Sequence, residues 1–316
     1  MRSMRNLFIV ALVLLTTPLS SRAEKPWIID PHTHFKGEAQ IAYESKAKKR
    51  HPKDTLGMVV KPADYRALAD RLGIQATLIV EAVDQDRPQF NDWVLAQAKS
   101  DLVCGYVARG DLTKKEFLTH HARYLKTGYL NGYRFRMDEL ASYLDHELAR
   151  AHLKRLEEDG MVIDLLVEHR HAPEVIRLAR EFRGCKIVLN HCLRARMVDG
   201  NAAAAWKQAI ADCAKEPNIY CKISSIVNFV GTKAFAEPAP TALAHYLPIL
   251  DHCFGAFGED RVIFATNWGV CEHFGKADDV VRIVREFLET KGDAALKKGM
   301  RENALRIYGI TTDKLR

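Results

Sequence analysis

Ile28-Ile29-Asp30-Pro31-His32-Thr33-His34-Phe35 is the stretch from which the rest of the chain can be read. Two apolar residues after Trp27 read as the end of a buried strand. His32 and His34 then stand two residues apart, and on a strand that spacing points both imidazoles to one side. Two neutral imidazoles converging on a point can bind a transition metal or polarise a carbonyl. An isolated His-x-His can also be a polar strand end bonded to nearby backbone, so the choice turns on the remaining sequence.

From residue 76 onward the chain alternates. Short apolar runs of strand length lie at 76–83, 102–108, 132–137, 161–167, 186–190, 219–226 and 261–265, making eight with 27–31. Amphipathic stretches separate them at 89–99, 114–126, 146–158, 173–182, 202–215 and 241–254, and two more come at 278–290 and 294–308. Strands alternating with helices argue for a parallel sheet. Eight such units in one chain predict a closed (β/α)8 TIM barrel, a single α/β domain. The alternative, a doubly wound open sheet, usually carries a glycine-rich phosphate loop, and neither Gly-x-Gly-x-x-Gly nor a Walker pattern is present. Residues 36–62 are polar and read as a long loop, either a lid or a solvated surface.

A barrel builds its site at the C-terminal ends of its strands. The polar residues there are His32 and His34 (strand one), Glu81 (strand two), and Arg134 with Arg136 (strand four). Glu168, His169 and His171 come after strand five, and His191 ends strand six. Lys222, Ser224 and Ser225 lie on strand seven, and Asn267 and Trp268 end strand eight. Strand ends also emerge at the surface, where polar residues are ordinary; His191 stands out because it comes after the apolar run Ile187-Val188-Leu189.

Asp30-Pro31-His32-Thr33-His34 resembles the strand-one signature of the amidohydrolase superfamily. The segments Ile163–Val167, His171-Ala172-Pro173, Val188–His191, Cys221–Ser224, Phe257–Phe264 and Glu302–Tyr308 are similar, in order, to its amidohydrolase-related, lactonase-like branch. The resemblance runs from about Trp27 to Ile310. It implies a barrel hydrolase of a lactone or other cyclic ester of a sugar acid or small carboxylate. His32, His34 and His191 would hold one divalent ion, zinc, or polarise the carbonyl without a metal; both arms stay open. Arg134, Arg136, His171, Glu81 and Trp268 would bind substrate. The branch reads Gly-Ser-Asp-Trp-Pro-Val at strand eight, where this chain reads Ala265-Thr266-Asn267-Trp268-Gly269-Val270. An amide cannot take the proton that the aspartate takes from attacking water. Another base (Glu81, Glu168 or His171), a metal-bound hydroxide, or a catalytically impaired ligand-binding homologue would account for Asn267. A decarboxylase is a further alternative.

Residues 1–23 read as a signal peptide: Arg2 and Arg5, an apolar run from Leu7 to Leu19, then Ser21-Arg22-Ala23. That run is short of the roughly 20 residues a spanning helix needs. Residues 24–316 form the barrel, placed in the periplasm or secreted, with no membrane attachment after cleavage. The formal charge of +7 falls to +4 without Arg2, Arg5 and Arg22, too mild to argue for nucleic acid. A small-molecule substrate is the expected partner. Seven cysteines, none in Cys-x-x-Cys spacing, predict buried free thiols rather than a zinc knuckle.

Overall fold

The computed structural model describes residues 27–46, 51–82, 87–230 and 233–315. The leader reading falls on residues outside these. Eight parallel strands run in sequence order around the molecule: β1 (Ile28–Thr33), β2 (Ile74–Val80), β3 (Val103–Ala108), β4 (Leu130–Arg136), β5 (Val162–Leu166), β6 (Lys186–Leu189), β7 (Ile219–Ser224) and β8 (Val262–Ala265). These apolar, β-branched segments are buried on both faces, as parallel strands covered by helices are.

The seam between β8 and β1 has one backbone bridge, Thr33 to Trp268. A side chain supplements it. The Asp30 carboxylate accepts from Thr266 N at 2.9 Å, from the Thr266 hydroxyl, and from Tyr65 Oη at 2.7 Å. Burial pushes the Asp30 carboxyl above its ordinary range, against these hydrogen bonds.

The inner apolar layer joins Ile29, Ala76, Cys104, Val162, Val188 and Ile263 to Ala304, Ile307 and Tyr308 of the C-terminal helix Asn303–Tyr308. Most of these strand residues lie early in their strands, so the helix plugs the N-terminal end of the barrel. A chemical site is therefore confined to the opposite mouth.

Residues 36–46 and 51–62, read in the sequence as loop, hold regular structure. They hold the helix Glu38–Ser45, a 3-10 turn Thr55–Gly57 and a bridge from Lys36 to Val60, and they form part of the mouth. A second unexpected helix, Glu139–Asp145, comes after β4. All seven cysteines are free and buried. No helix among the described residues is long and apolar enough to cross a membrane.

Candidate active site at the barrel mouth

The three histidines separated in sequence meet in space. The ring centroids of His32 and His34 are 5.0 Å apart, edge to face, and those of His32 and His191 are 4.7 Å apart. All three are buried in water-poor surroundings that disfavour charge. Burial, then Arg134, pushes His34 down to about 3. Burial and then Arg134 likewise hold His191 well below its ordinary value, and burial and then Lys222 do the same for His32. Each ring is neutral at any working pH.

Neutral rings have one N–H, so each partner assigns a proton. His34 Nδ1 is 2.8 Å from Val80 O and must donate to it, leaving Nε2 with a lone pair. His191 Nδ1 meets Ser224 Oγ at 2.7 Å, which leaves Nε2 as its free ring nitrogen. His32 lies between two cations, with Lys222 Nζ 3.4 Å from Nδ1 and Arg134 Nη1 3.4 Å from Nε2.

Those cations belong to two buried ion clusters. Lys222, on β7, is wholly buried and donates to Asp164 Oδ2 (2.9 Å) and Pro31 O (3.1 Å). Asp164 also accepts from Tyr308 Oη (2.6 Å) and Asn190 Nδ2 (3.0 Å). Glu81 accepts from Arg134 Nε at 2.7 Å and from both ends of the Arg136 guanidinium. Burial would raise the Glu81 carboxyl, but Arg134, Arg136 and Arg109 outweigh it and hold it far below the usual carboxylate range.

A cavity of about 870 Å³ opens over this floor. Of the residues singled out in the sequence, His34, Arg134, Arg136, His191 and Asn267 line it. The other four expected residues take different places. His32 is fully buried and lies in the layer beneath the wall. Glu81 is saturated by arginines, so it neither binds substrate nor serves as the missing base. His171 bonds the Glu168 backbone and Asp138 (3.1 Å), outside the cavity wall. Trp268 packs on Phe35 and Tyr65, also outside it. Arg134 and Arg136 each turn one edge of the guanidinium to Glu81, so only part of the expected carboxylate grip is left to them; Arg134 Nη1 lies 3.4 Å from His32 Nε2.

Sequence reasoning missed Arg194 and Arg196. Arg194 ends, and Arg196 follows, a turn that opens at His191, where His191, Cys192, Leu193 and Arg194 all have left-handed φ, from 50° to 56°. Four consecutive non-glycine residues in that region cost roughly 1–2 kcal/mol each. Packing maintains it: Trp206 Nε1 donates to Cys192 O at 2.8 Å and Leu193 N to Asn190 O at 3.1 Å. Strain of this kind collects where function needs a particular presentation. The only signal in the sequence was two arginines two apart just after His191.

Asn267 lies where the branch has its aspartate. Its Oδ1 is 3.0 Å from His34 Nε2 and its Nδ2 is 2.7 Å from Ser225 Oγ. Two lone pairs facing at 3.0 Å repel. The network closes with the amide NH2 donating to His34 Nε2 and the Ser225 hydroxyl donating to the amide oxygen.

The donor set does not fit a divalent ion. His32, His34 and His191 do not bring three ligand atoms within 4.8 Å of one another; among the described residues only the thiols of Cys192, Cys221 and Cys253 do, in the core. Both nitrogens of His32 face cations, and the nearby carboxylates, Glu81 and Asp164, are already neutralised by arginine and lysine. A +2 ion would sit beside Arg134 and Lys222, whose partner carboxylates, Glu81 and Asp164, are already spent on them.

A parallel barrel closed at one end, with imidazoles, guanidiniums and an amide at the other, defines a barrel hydrolase. The family model described as amidohydrolase matches residues 29–310, and the chain belongs to that family. An L-fucono-1,5-lactonase of Burkholderia ambifaria is 24% identical over 258 residues, 78% of this chain and 83% of that one. An amidohydrolase from Burkholderia multivorans, solved with bound zinc, superposes with a TM-score of 0.78 at 23% identity, covering 90% of this chain and all (100%) of that one. A probable 2-pyrone-4,6-dicarboxylic acid hydrolase from Acinetobacter baumannii, solved with citric acid, superposes with a TM-score of 0.71 at 14% identity, covering 89% and 99%.

Proposed function

We propose that the chain is an exported hydrolase that opens a lactone ring without a divalent metal. The observation that carries the reading is that His191, with its Nε2 free, lines one cavity together with Asn267 and Arg134; the lactonase relative supplies the class of bond. Arg134 Nη1 polarises the carbonyl and stabilises the oxyanion that forms as water adds. His191 Nε2 takes a proton from that water while Nδ1–H stays on Ser224 Oγ. The ring C–O bond then breaks, and the proton passes from His191 to the departing ring oxygen. The product is an open hydroxy acid, which ionises and releases one proton to solvent. A neutral imidazole with so low an affinity for protons is a weak base, so turnover is slow. The leader, residues 1–23, directs export to the periplasm or beyond.

The test is a pH-indicator assay of the mature chain on a lactone panel, with His191→Asn and Arg134→Gln alongside. Ring opening lost in both variants supports the reading; no opening by wild type at any concentration ends it. Asn267 favours a second reading, a binder without turnover. A compound that raises Tm and is recovered unchanged would identify that case.

A further inference from the structure

We infer that the mouth holds a second anion subsite, made by Arg194 and Arg196, and that the ligand carries a carboxylate remote from the reacting carbonyl. The inference deepens the lactone reading and rests on it for the reacting bond only; the subsite itself stands on charge and geometry.

Among the described lining residues the charges do not balance. Lys36, Arg134, Arg136, Arg194 and Arg196 line the cavity, and Glu44 is the one acid among the described residues of its wall. Lys36 is taken by Glu44 at 2.7 Å, and Glu81 serves both Arg134 and Arg136. Arg194 has only a loose carboxylate neighbour, Glu168 at 3.5 Å, which Arg170 shares at 3.4 Å. Its other contact is the weak acceptor Met137 Sδ at 3.7 Å. Arg196 has no ion pair or side-chain hydrogen bond among the described residues.

The placement is specific. Arg194 is the last residue of the left-handed turn whose first residue is His191, and Arg196 follows it by two residues, so one short segment carries the reacting imidazole and both guanidiniums to the cavity. The next two residues, Met197 and Val198, pair with Asn201–Ala202 and fix the far end of the segment. Ala195, Met197, Val198, Phe229 and Phe274 give the same cavity an apolar wall. Guanidinium forks grip carboxylates in two places, and an apolar wall accepts a ring. A cyclic ester bearing a free carboxylate matches both. A neutral, polyhydroxylated lactone leaves the arginines unpaired and meets few acceptors on that wall.

Two matched sets of probes test this. The first is 5-oxotetrahydrofuran-2-carboxylate, a lactone with a free carboxylate, against its neutral carboxamide, read as KM and kcat. The second is binding by calorimetry of phthalate, citrate and 2-hydroxyglutarate against their amides. The expected result is tighter binding of the acids than of the amides, weakening with salt. Arg194→Gln and Arg196→Gln should each weaken acid binding about tenfold, with amide binding unchanged. Acids and amides bound alike, no affinity for any acid, or variants without effect would overturn the subsite. If no lactone is opened yet the acids bind through these arginines, the subsite stands and the hydrolase reading falls. A circular dichroism melt confirms that each variant is folded; the exposed Arg196 is the safer single substitution if the turn is disturbed at Arg194.

Discussion

Lys222→Met is the sharpest probe of the barrel's interior. The ammonium is wholly buried and bonds Asp164 Oδ2, Pro31 O and His32 Nδ1. Removing it leaves the Asp164 carboxylate in the core with only Tyr308 Oη and Asn190 Nδ2 as donors. Breaking one side of a buried ion pair costs about 3–5 kcal/mol, because the partner charge stays desolvated and uncompensated. Two surviving donors place this site near the lower figure, about 3 kcal/mol. At roughly 2–4 °C per kcal/mol for a chain above 150 residues, Tm should fall by about 6–12 °C. The assay is thermal or urea unfolding of wild type, Lys222→Met, Asp164→Asn and the double variant. The double variant removes both charges and should regain most of the loss, giving a coupling of at least about 1 kcal/mol. A single variant within about 0.5 kcal/mol of wild type, or a double variant at the sum of the singles, would refute the view that this pair is an obligate unit.

Other substitutions and conditions give equally definite outcomes. Asn267→Asp adds at this position a carboxylate that can take the proton in place of the weakly basic His191; kcat for ring opening should rise by about 10²–10⁴, and an unchanged kcat would show that this position does not reach the attacking water. Acid should destabilise the fold from about pH 6.5 downward. The unfolded histidines bind protons there while His32, His34 and His191 in the fold do not, His34 holding out to about 3. Stability therefore rises with pH across that window, by roughly 1.4 kcal/mol per unit for each histidine, and a Tm flat between pH 7 and 5 would contradict it. Replacing Ser224 by Ala removes the Nδ1 partner of His191; kcat should drop with KM little changed, read by initial rates on the same lactone. Mass spectrometry of the exported product should give an N-terminus at Glu24.

How far the sequence reached depends on the range of each interaction. The eight strand segments were legible because hydrophobic runs and their spacing are local properties; the observed strands Val103–Ala108, Val162–Leu166 and Lys186–Leu189 lie inside the predicted ones. His32, His34 and His191 were legible as a group because a barrel brings strand ends to one mouth whatever the intervening chain. The helices Glu38–Ser45 and Glu139–Asp145 were not: the first buries only Gln40, and the second, seven residues long, is too short for its apolar positions Leu140, Tyr143 and Leu144 to stand out.

What the tertiary structure alone decided is who neutralises whom. Glu81 could be a base or a ligand until Arg134 and Arg136, more than fifty residues away, are seen to close on it. His32 could hold a metal until Lys222 and Arg134 are seen on its two nitrogens. Arg194 and Arg196 are two ordinary charges in the linear code and come to line one cavity only because packing holds the left-handed turn from His191 to Arg194 in place. Residue type and periodicity set the barrel and its candidate chemistry; proton occupancy and free charge depend on contacts between distant strands, and no local pattern encodes them.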